Sequence, residues 1–120
     1  MSKKILVAED NDQNLYLTAF LLGRHGYEII TARNGIEAVA QAQAHRPDLI
    51  LMDILMPEMD GYEAIRRIKG FAETAHIPIV AVSSYAMAGD HDKAMVLGCV
   101  GYIEKPIAPE TFVSQIARYL

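Results

Sequence analysis

Glu9 and Asp10 stand side by side near the amino terminus, Asp53 closes one apolar run, Ser83 and Ser84 follow another, and Lys105 follows a third. Carboxylates gathered in one place repel, and they stay ionised only if a cation sits among them; otherwise one of them takes up a proton. Mg²⁺ answers that need. It prefers hard oxygen ligands, keeps several waters, and bridges one or two carboxylates to a phosphate oxygen. Three acids with neither His nor Cys among them make a poor zinc site. A carboxylate can also attack phosphorus itself and form an acyl phosphate, provided a metal and a fixed cation absorb charge on the equatorial oxygens. Asp53 is the candidate nucleophile, and Lys105 and Ser83 can complete its cradle.

Each of these residues alone has an ordinary explanation. Glu9 and Asp10 could cap a helix, Ser83 could serve a turn, and Lys105 could be a solvated charge. What makes them chemistry is a common location, which depends on the elements that carry them.

Five short apolar runs, residues 5–8, 28–32, 48–52, 77–82 and 100–103, alternate with segments of helical period. Stretches such as Leu49-Ile50-Leu51-Met52 and Ile79-Val80-Ala81-Val82 are apolar at consecutive positions, which suits strands covered on both faces of a parallel sheet. The helical segments supply the cover: Ile36, Val39 and Ala40 are expected on one buried stripe, Tyr62, Ile65 and Ile68 on another, and Phe112, Val113, Ile116 and Leu120 on a third. Asn34 with Glu37 forms a capping pair, Gly26 and Gly98 suit helix C-terminal turns, and Pro109 suits the first turn of the last helix, with Ala108 a weak cap before it. Asn34-Gly35 is also a hairpin signal, but helical spacing follows it and excludes that reading. Five β-α units joined by right-handed crossovers give an α/β doubly wound open sheet, whose ligands bind beyond the carboxyl ends of the strands. Glu9, Asp10, Asp53, Ser83 and Lys105 all fall at that edge.

A chain of 120 residues fits one domain, expected over residues 1–120, with a core large enough to need no disulfide. The net charge of −4 and the scattered Lys and Arg residues argue against a nucleic-acid surface. Its longest apolar runs are far too short for a bilayer span, and no export signal is visible, so a cytoplasmic protein is expected. Cys99 is the only cysteine and fits packing in a reducing compartment better than redox chemistry. His25, His45, His76 and His91 are dispersed without metal spacing and are assigned to solvent or helix ends, with His91 opening a helix. The six methionines read as packing, with Met87 free to serve a partner surface.

Over nearly its whole length the chain resembles the response-regulator receiver domain. The resemblance is carried by Val7-Ala8-Glu9-Asp10-Asn11, by Asp48 through Met52 continuing into Asp53-Ile54-Leu55-Met56-Pro57-Glu58-Met59-Asp60-Gly61, by Ile79-Val80-Ala81-Val82-Ser83, and by Tyr102-Ile103-Glu104-Lys105-Pro106. It implies a flavodoxin-like (βα)5 three-layer sandwich with sheet order 2-1-3-4-5. It further implies that Asp53 accepts a phosphoryl group from a phosphohistidine on a histidine kinase or phosphotransfer protein. Mg²⁺ would be held by Asp10, Asp53 and the Leu55 backbone carbonyl, with Glu9 joining through an intervening water. Lys105 would pair with the phosphoryl group, Ser83 would turn its hydroxyl toward it, and the Lys105-Pro106 bond would be cis. Ser83 replaces the more usual threonine and keeps the hydroxyl. Ser84, where the family often has alanine, is small enough to leave Asp53 accessible.

By the same resemblance Tyr102 is the aromatic switch that swings inward as Ser83 moves, its plainer alternative being a half-buried tyrosine. The output face would be the fourth helix, fifth strand and fifth helix, about Gly89 to Leu120, where a downstream protein binds. Leu55 and Tyr85 flank the implied path of the hydrolytic water; both are bulky and neither is acidic, so slow hydrolysis of phospho-Asp53 is expected. The resemblance leaves open a stand-alone signalling protein or a receiver from a hybrid kinase or transcription factor. An aspartate-dependent phosphatase would want a second Asp where Leu55 stands, and a flavin carrier would want a Ser/Thr/Gly phosphate loop where Glu9 and Asp10 stand.

Overall fold

The computed structural model describes residues 2–56, 58–83 and 89–120; Ser84, Tyr85 and Met87 lie outside the described residues. Five strands alternate with five helices: β1 (Lys4–Ala8), α1 (Asp12–Arg24), β2 (Glu28–Ala32), α2 (Gly35–His45), β3 (Leu49–Asp53), α3 (Gly61–Gly70), β4 (Ile79–Ser83), α4 (Asp90–Val96), β5 (Gly101–Glu104) and α5 (Pro109–Ala117). All strand pairs are parallel, in the order β2-β1-β3-β4-β5. The doubly wound sheet and its strand order are therefore as expected.

The central strands are buried on both faces, and side-chain alternation divides the core in two. Leu6, Ile50, Met52, Ile79 and Ala81 pack beneath Ala38 and Ala42 of α2, Ile65 and Ile68 of α3 and Ala94 of α4. Ile5, Val7, Leu49, Leu51 and Val80 pack on the opposite face beneath Leu15 and Leu22 of α1 and Phe112 and Ile116 of α5. The result is a three-layer sandwich whose strand carboxyl ends are all at one rim.

Strand boundaries shift by a residue or two from the expected runs, for identifiable reasons. β3 begins at Leu49 because the Asp48 carboxylate accepts the Lys4 N–H at 2.8 Å, and it runs on to take in Asp53. β4 begins at Ile79 because Pro78 has no N–H and Ile77 N–H closes a turn on the Thr74 carbonyl at 3.1 Å. β5 is Gly101–Glu104 rather than residues 100–103.

The expected stripe on α2 is corrected. Gly35, Ala38 and Ala42 are buried and Val39 is half-buried, while Ile36 is 52% exposed and Ala40 faces out. The helix sits too close to its neighbours for large side chains: a Cβ on Gly35 would lie 2.3 Å from the Met59 carbonyl oxygen. The stripe of α3 stands as read, with Tyr62 half-buried at its margin; on α5 Phe112 and Ile116 are buried and Val113 half-buried, while Leu120, also half-buried, lies beyond the helix, which ends at Ala117.

Capping follows the sequence. The Asn34 side chain accepts the Glu37 N–H at 2.8 Å, and the Glu37 carboxylate accepts the N–H of Arg33, one residue before the cap, at 3.2 Å. Gly26 (φ 90°) and Gly98 (φ 103°) take the left-handed turns after α1 and α4. Pro109 opens α5, and Ala108 gives no side-chain cap. Lys69, which the pattern did not single out, staples the segment before β4 by donating to the carbonyls of Ala75 at 3.1 Å and Ile77 at 2.9 Å. Burial lowers the pKa of its ammonium.

Candidate functional site

The site grows from the alternation of the strands. On β1, β3 and β5 the side chains of Val7, Leu51 and Ile103 face α1 and α5, so Glu9, Asp53 and Lys105, two residues further on, continue that face. Asp10 and Ser83 continue the other face, as does Tyr102 on β5. The candidate residues thus straddle the sheet rim.

Backbone pairing fixes the rim. Glu9 N–H donates to the Ala32 carbonyl at 2.9 Å, Ile54 N–H to Val82 at 3.0 Å, and Lys105 N–H to Ser83 at 2.7 Å. Asp53 pairs in register with Val82, which sets Ser83 one step beyond Asp53 on the adjoining strand. After β1 the chain turns into α1 under an N-cap at Asn11, which accepts the Asn14 N–H at 2.9 Å; its own N–H donates to Glu9 Oε2 at 3.2 Å. That cap, rather than Glu9 or Asp10, serves the helix. Glu9 supports that cap only through the cap residue's own N–H, with its other oxygen turned to Lys105.

Glu9 and Asp53 are 5% and 4% exposed, whereas Asp10 is open to solvent. One carboxylate oxygen from each of Glu9, Asp10 and Asp53 falls within 4.8 Å of the others, and together they could hold a metal ion. Asp53 is held at both oxygens: Oδ1 accepts the Leu55 N–H at 3.1 Å and Oδ2 accepts from Lys105 Nζ at 3.1 Å. Lys105 also forms an ion pair with Glu9, so one ammonium bridges two buried carboxylates. The bond from Lys105 to Pro106 is cis.

Burial raises the pKa of Glu9, and the neighbouring Asp53 adds to the rise while Lys105 opposes it. Burial pulls the Lys105 ammonium down, but Glu9 and Asp53 outweigh it and hold its pKa above the ordinary lysine value. Three carboxylates against one ammonium leave the cup with an excess of two formal negative charges. A divalent ion would cancel that excess, and the all-oxygen donor set suits Mg²⁺. The residues present therefore fit the metal that the sequence pointed to.

Ser83 is 1% exposed at the end of β4. Tyr102 is half-buried on the same sheet face, with its hydroxyl enclosed and lacking a hydrogen-bond partner among the described residues. Its ring meets His91 edge-on, centroids 5.6 Å apart, a contact between separate elements that sequence gives no means of finding. The four histidines are all exposed, and Cys99 is buried with its thiol pushed up to about 11 by burial. Leu55 projects at the rim, 52% exposed.

Sequence reasoning also passed over a cavity of about 340 Å³ that opens at Glu9, Asp53 and Lys105 and runs between α1 and the segment leading into α5. Its α1 wall is Asn14, Leu17 and Thr18, whose spacing by three and four puts them on one helical face. That periodicity was available in the sequence, but the opposing wall at Pro106 and Ile107 comes from the far end of the chain. Among the described residues no helix is long and apolar enough to cross a membrane.

Residues 5–117 match the family model of the response regulator receiver domain. The chain is 45% identical over 120 residues to the polar-differentiation response regulator DivK of Brucella anthropi, covering all of this chain and 98% of that one. Among solved structures it is similar to the chemotaxis protein CheY4 of Vibrio cholerae, with a TM-score of 0.94, 29% identity and full coverage of both chains. It is also similar to the receiver domain of a sensor histidine kinase from Pseudomonas aeruginosa, described with a magnesium ion coordinated in the active site cleft. There the TM-score is 0.90 and the identity 32%, over 99% of this chain and 98% of that one.

Proposed function

The chain belongs to the response regulator receiver domain family, and on that premise we propose that Asp53 accepts a phosphoryl group in a Mg²⁺-dependent reaction and that the protein signals through the change this causes. The observation that carries the reading is the convergence of Glu9, Asp10 and Asp53 ligand atoms, with Lys105 tied to two of them. The donor is a phosphohistidine on a histidine kinase or phosphotransfer protein. An Asp53 oxygen bonds to phosphorus as the phosphorus–nitrogen bond of the donor breaks, and the electron pair leaves with the imidazole.

The chain's own residues prepare that step. The Leu55 N–H and the Lys105 ammonium hold Asp53 at both ends and fix its rotamer. Lys105, close to the incoming group, offsets charge on the transferred oxygens. Glu9, Asp10, Asp53 and the Leu55 carbonyl would hold Mg²⁺, which supplies charge neutralisation for carboxylates and phosphoryl oxygens when bound.

The signal leaves by Ser83 and Tyr102. Both lie on the α2-α3-α4 side of the sheet, where the Tyr102 ring packs against the core and its enclosed hydroxyl has no hydrogen-bond partner among the described residues. That costs about 1–3 kcal/mol, which a shift of the ring could relieve. Movement of Ser83 toward a phosphoryl group gives Tyr102 room to shift, and the α4-β5-α5 face presents the result to a downstream protein. Met95, Val96 and Val100 are exposed apolar residues of α4 and the segment before β5, in keeping with a protein partner there.

The test is incubation with acetyl phosphate and Mg²⁺ followed by intact-mass measurement. A phosphate-sized gain on the wild type, absent from Asp53→Asn and absent under chelation, is the expected result. No gain, or an equal gain on Asp53→Asn, would reject Asp53 as acceptor.

A further inference from the structure

The outward face of α1 carries a row of four residues whose chemistry is matched end to end. Asp12, Tyr16, Phe20 and Arg24 are spaced by four, so they form one ridge along the helix, and all four are exposed. Tyr16 is 72% and Phe20 47% exposed, yet their rings stack on each other, with centroids 6.1 Å apart and planes 13° from parallel. The Arg24 guanidinium lies 5.6 Å from the Phe20 ring centre. The middle of the row is thus a preassembled aromatic surface, with an acid at one end and a base at the other. Aromatic residues and arginine are the types that protein interfaces favour over the rest of a surface. We propose that this row is a contact between two copies of the chain, which pair with their α1 helices antiparallel about a twofold axis, Asp12 of each copy against Arg24 of the other and Tyr16 against Phe20.

Charge and symmetry choose this occupant and its orientation. A twofold contact must be self-complementary: where one residue meets a second, the second meets the first. Run antiparallel, the row meets its own reverse in a single register, so that both end pairs are opposite in charge and both central pairs aromatic. Run parallel, it sets Asp12 on Asp12 and Arg24 on Arg24, and like charges repel. Rows of this spacing are inclined by about 26° to the helix axis, so two of them come into line where the helices cross at about 50°. Arg33 already engages Asp12 Oδ1 within the chain, and a carboxylate has room on its second oxygen for the other copy's arginine. Four side chains from each copy fall short of the roughly 20–30 residues a side of a standard interface, so the pairing is weak, with a dissociation constant in the high micromolar to millimolar range. Leu17, beside the row, also walls the cleft that opens at Asp53, so a second copy seated here stands at the margin of that opening. The contact does not depend on Asp53 being a phosphoacceptor.

Sedimentation equilibrium of the full chain, from tens of micromolar to a few millimolar, is the test. The wild-type weight-average mass is expected to rise toward twice that of one chain, with the amide resonances of Tyr16, Leu17 and Phe20 shifting in step. Arg24→Glu and Asp12→Lys each set like charges opposite one another at both ends and are expected to stay monomeric over the same range. Mixed one to one they recover the dimer, since each then presents the charge that the other lacks. Tyr16→Gln removes aromatic contact without touching charge and is expected to weaken pairing roughly tenfold. Thermal melts verify that these exposed substitutions fold. A wild type that stays monomeric, charge variants that pair as the wild type does, or a mixture no heavier than its parts overturns the proposal. So does a rise in mass whose resonance shifts are confined to α4 and β5, which would place the contact between copies elsewhere.

Discussion

Cys99 shows how much a single side chain can be read from its surroundings. Burial raises its thiol pKa from 9.0 to about 11, with Lys69 opposing. A thiol that ionises later in the folded chain than in the unfolded one contributes stability that is whole below pH 9.0 and lost as the pH climbs toward 11. The loss is on the order of 2 kcal/mol across that window. Urea melts at one pH below the window and one inside it are expected to show a drop in the wild type that Cys99→Ala largely lacks. Leu55 carries a second prediction. Its exposed apolar side chain stands two residues past Asp53 and offers no group to orient water, so phospho-Asp53 in Leu55→Asn is expected to decay several-fold faster than in the wild type, measured by loss of the phosphate mass. Asp53, Glu9, Asp10 and Lys105 could be picked out in the sequence because residue type and chain order suffice for that. The bridge from one ammonium to two carboxylates could not, since it joins residues 96 and 52 positions apart.

The elements were legible where hydrophobic period and burial coincide, as on α3 and α5, and misleading where small residues make the contact, as on α2. A periodicity argument weights Ile36 over Ala38, yet close approach of a helix selects the smaller residue. Glycines record the same closeness. A Cβ on Gly61, at the start of α3, would meet the Asp53 carbonyl oxygen at 2.3 Å and the Ile54 Cα at 2.7 Å, all backbone that cannot step aside. A Cβ on Gly101 in β5 would meet the Tyr119 hydroxyl at 2.3 Å, the far end of a side chain that can turn. Gly61→Ala is therefore expected to cost about 1–3 kcal/mol in denaturant melts and to weaken Mg²⁺ binding by displacing Asp53, while Gly101→Ala costs well under that. Equal costs for the two would show that the end of β3 is not held as tightly as the contact implies.

At the scale of the molecule, strand order was legible only through the family likeness; alternation of β and α units alone gives a doubly wound sheet without saying which strand lies in the middle. Once the order is set, the rim gathers a surplus of negative charge that the fold itself leaves uncancelled. Mg²⁺ is then expected to stabilise the whole protein, by about 2.7 kcal/mol at a hundredfold excess over its dissociation constant. Thermal melts at matched ionic strength, with Mg²⁺ or a monovalent salt, should show this rise in the wild type and a smaller one in Asp10→Asn. The position of Lys105 has one more consequence. It arrives after β5, the edge strand that pairs only with β4, whereas Glu9, Asp10 and Asp53 all belong to the first three β-α units. Lys105 therefore reaches the rim only where β5 lies against β4, so pairing of this one edge strand also delivers the ammonium that joins Glu9 to Asp53. Loosening that edge would leave the two buried acids without it.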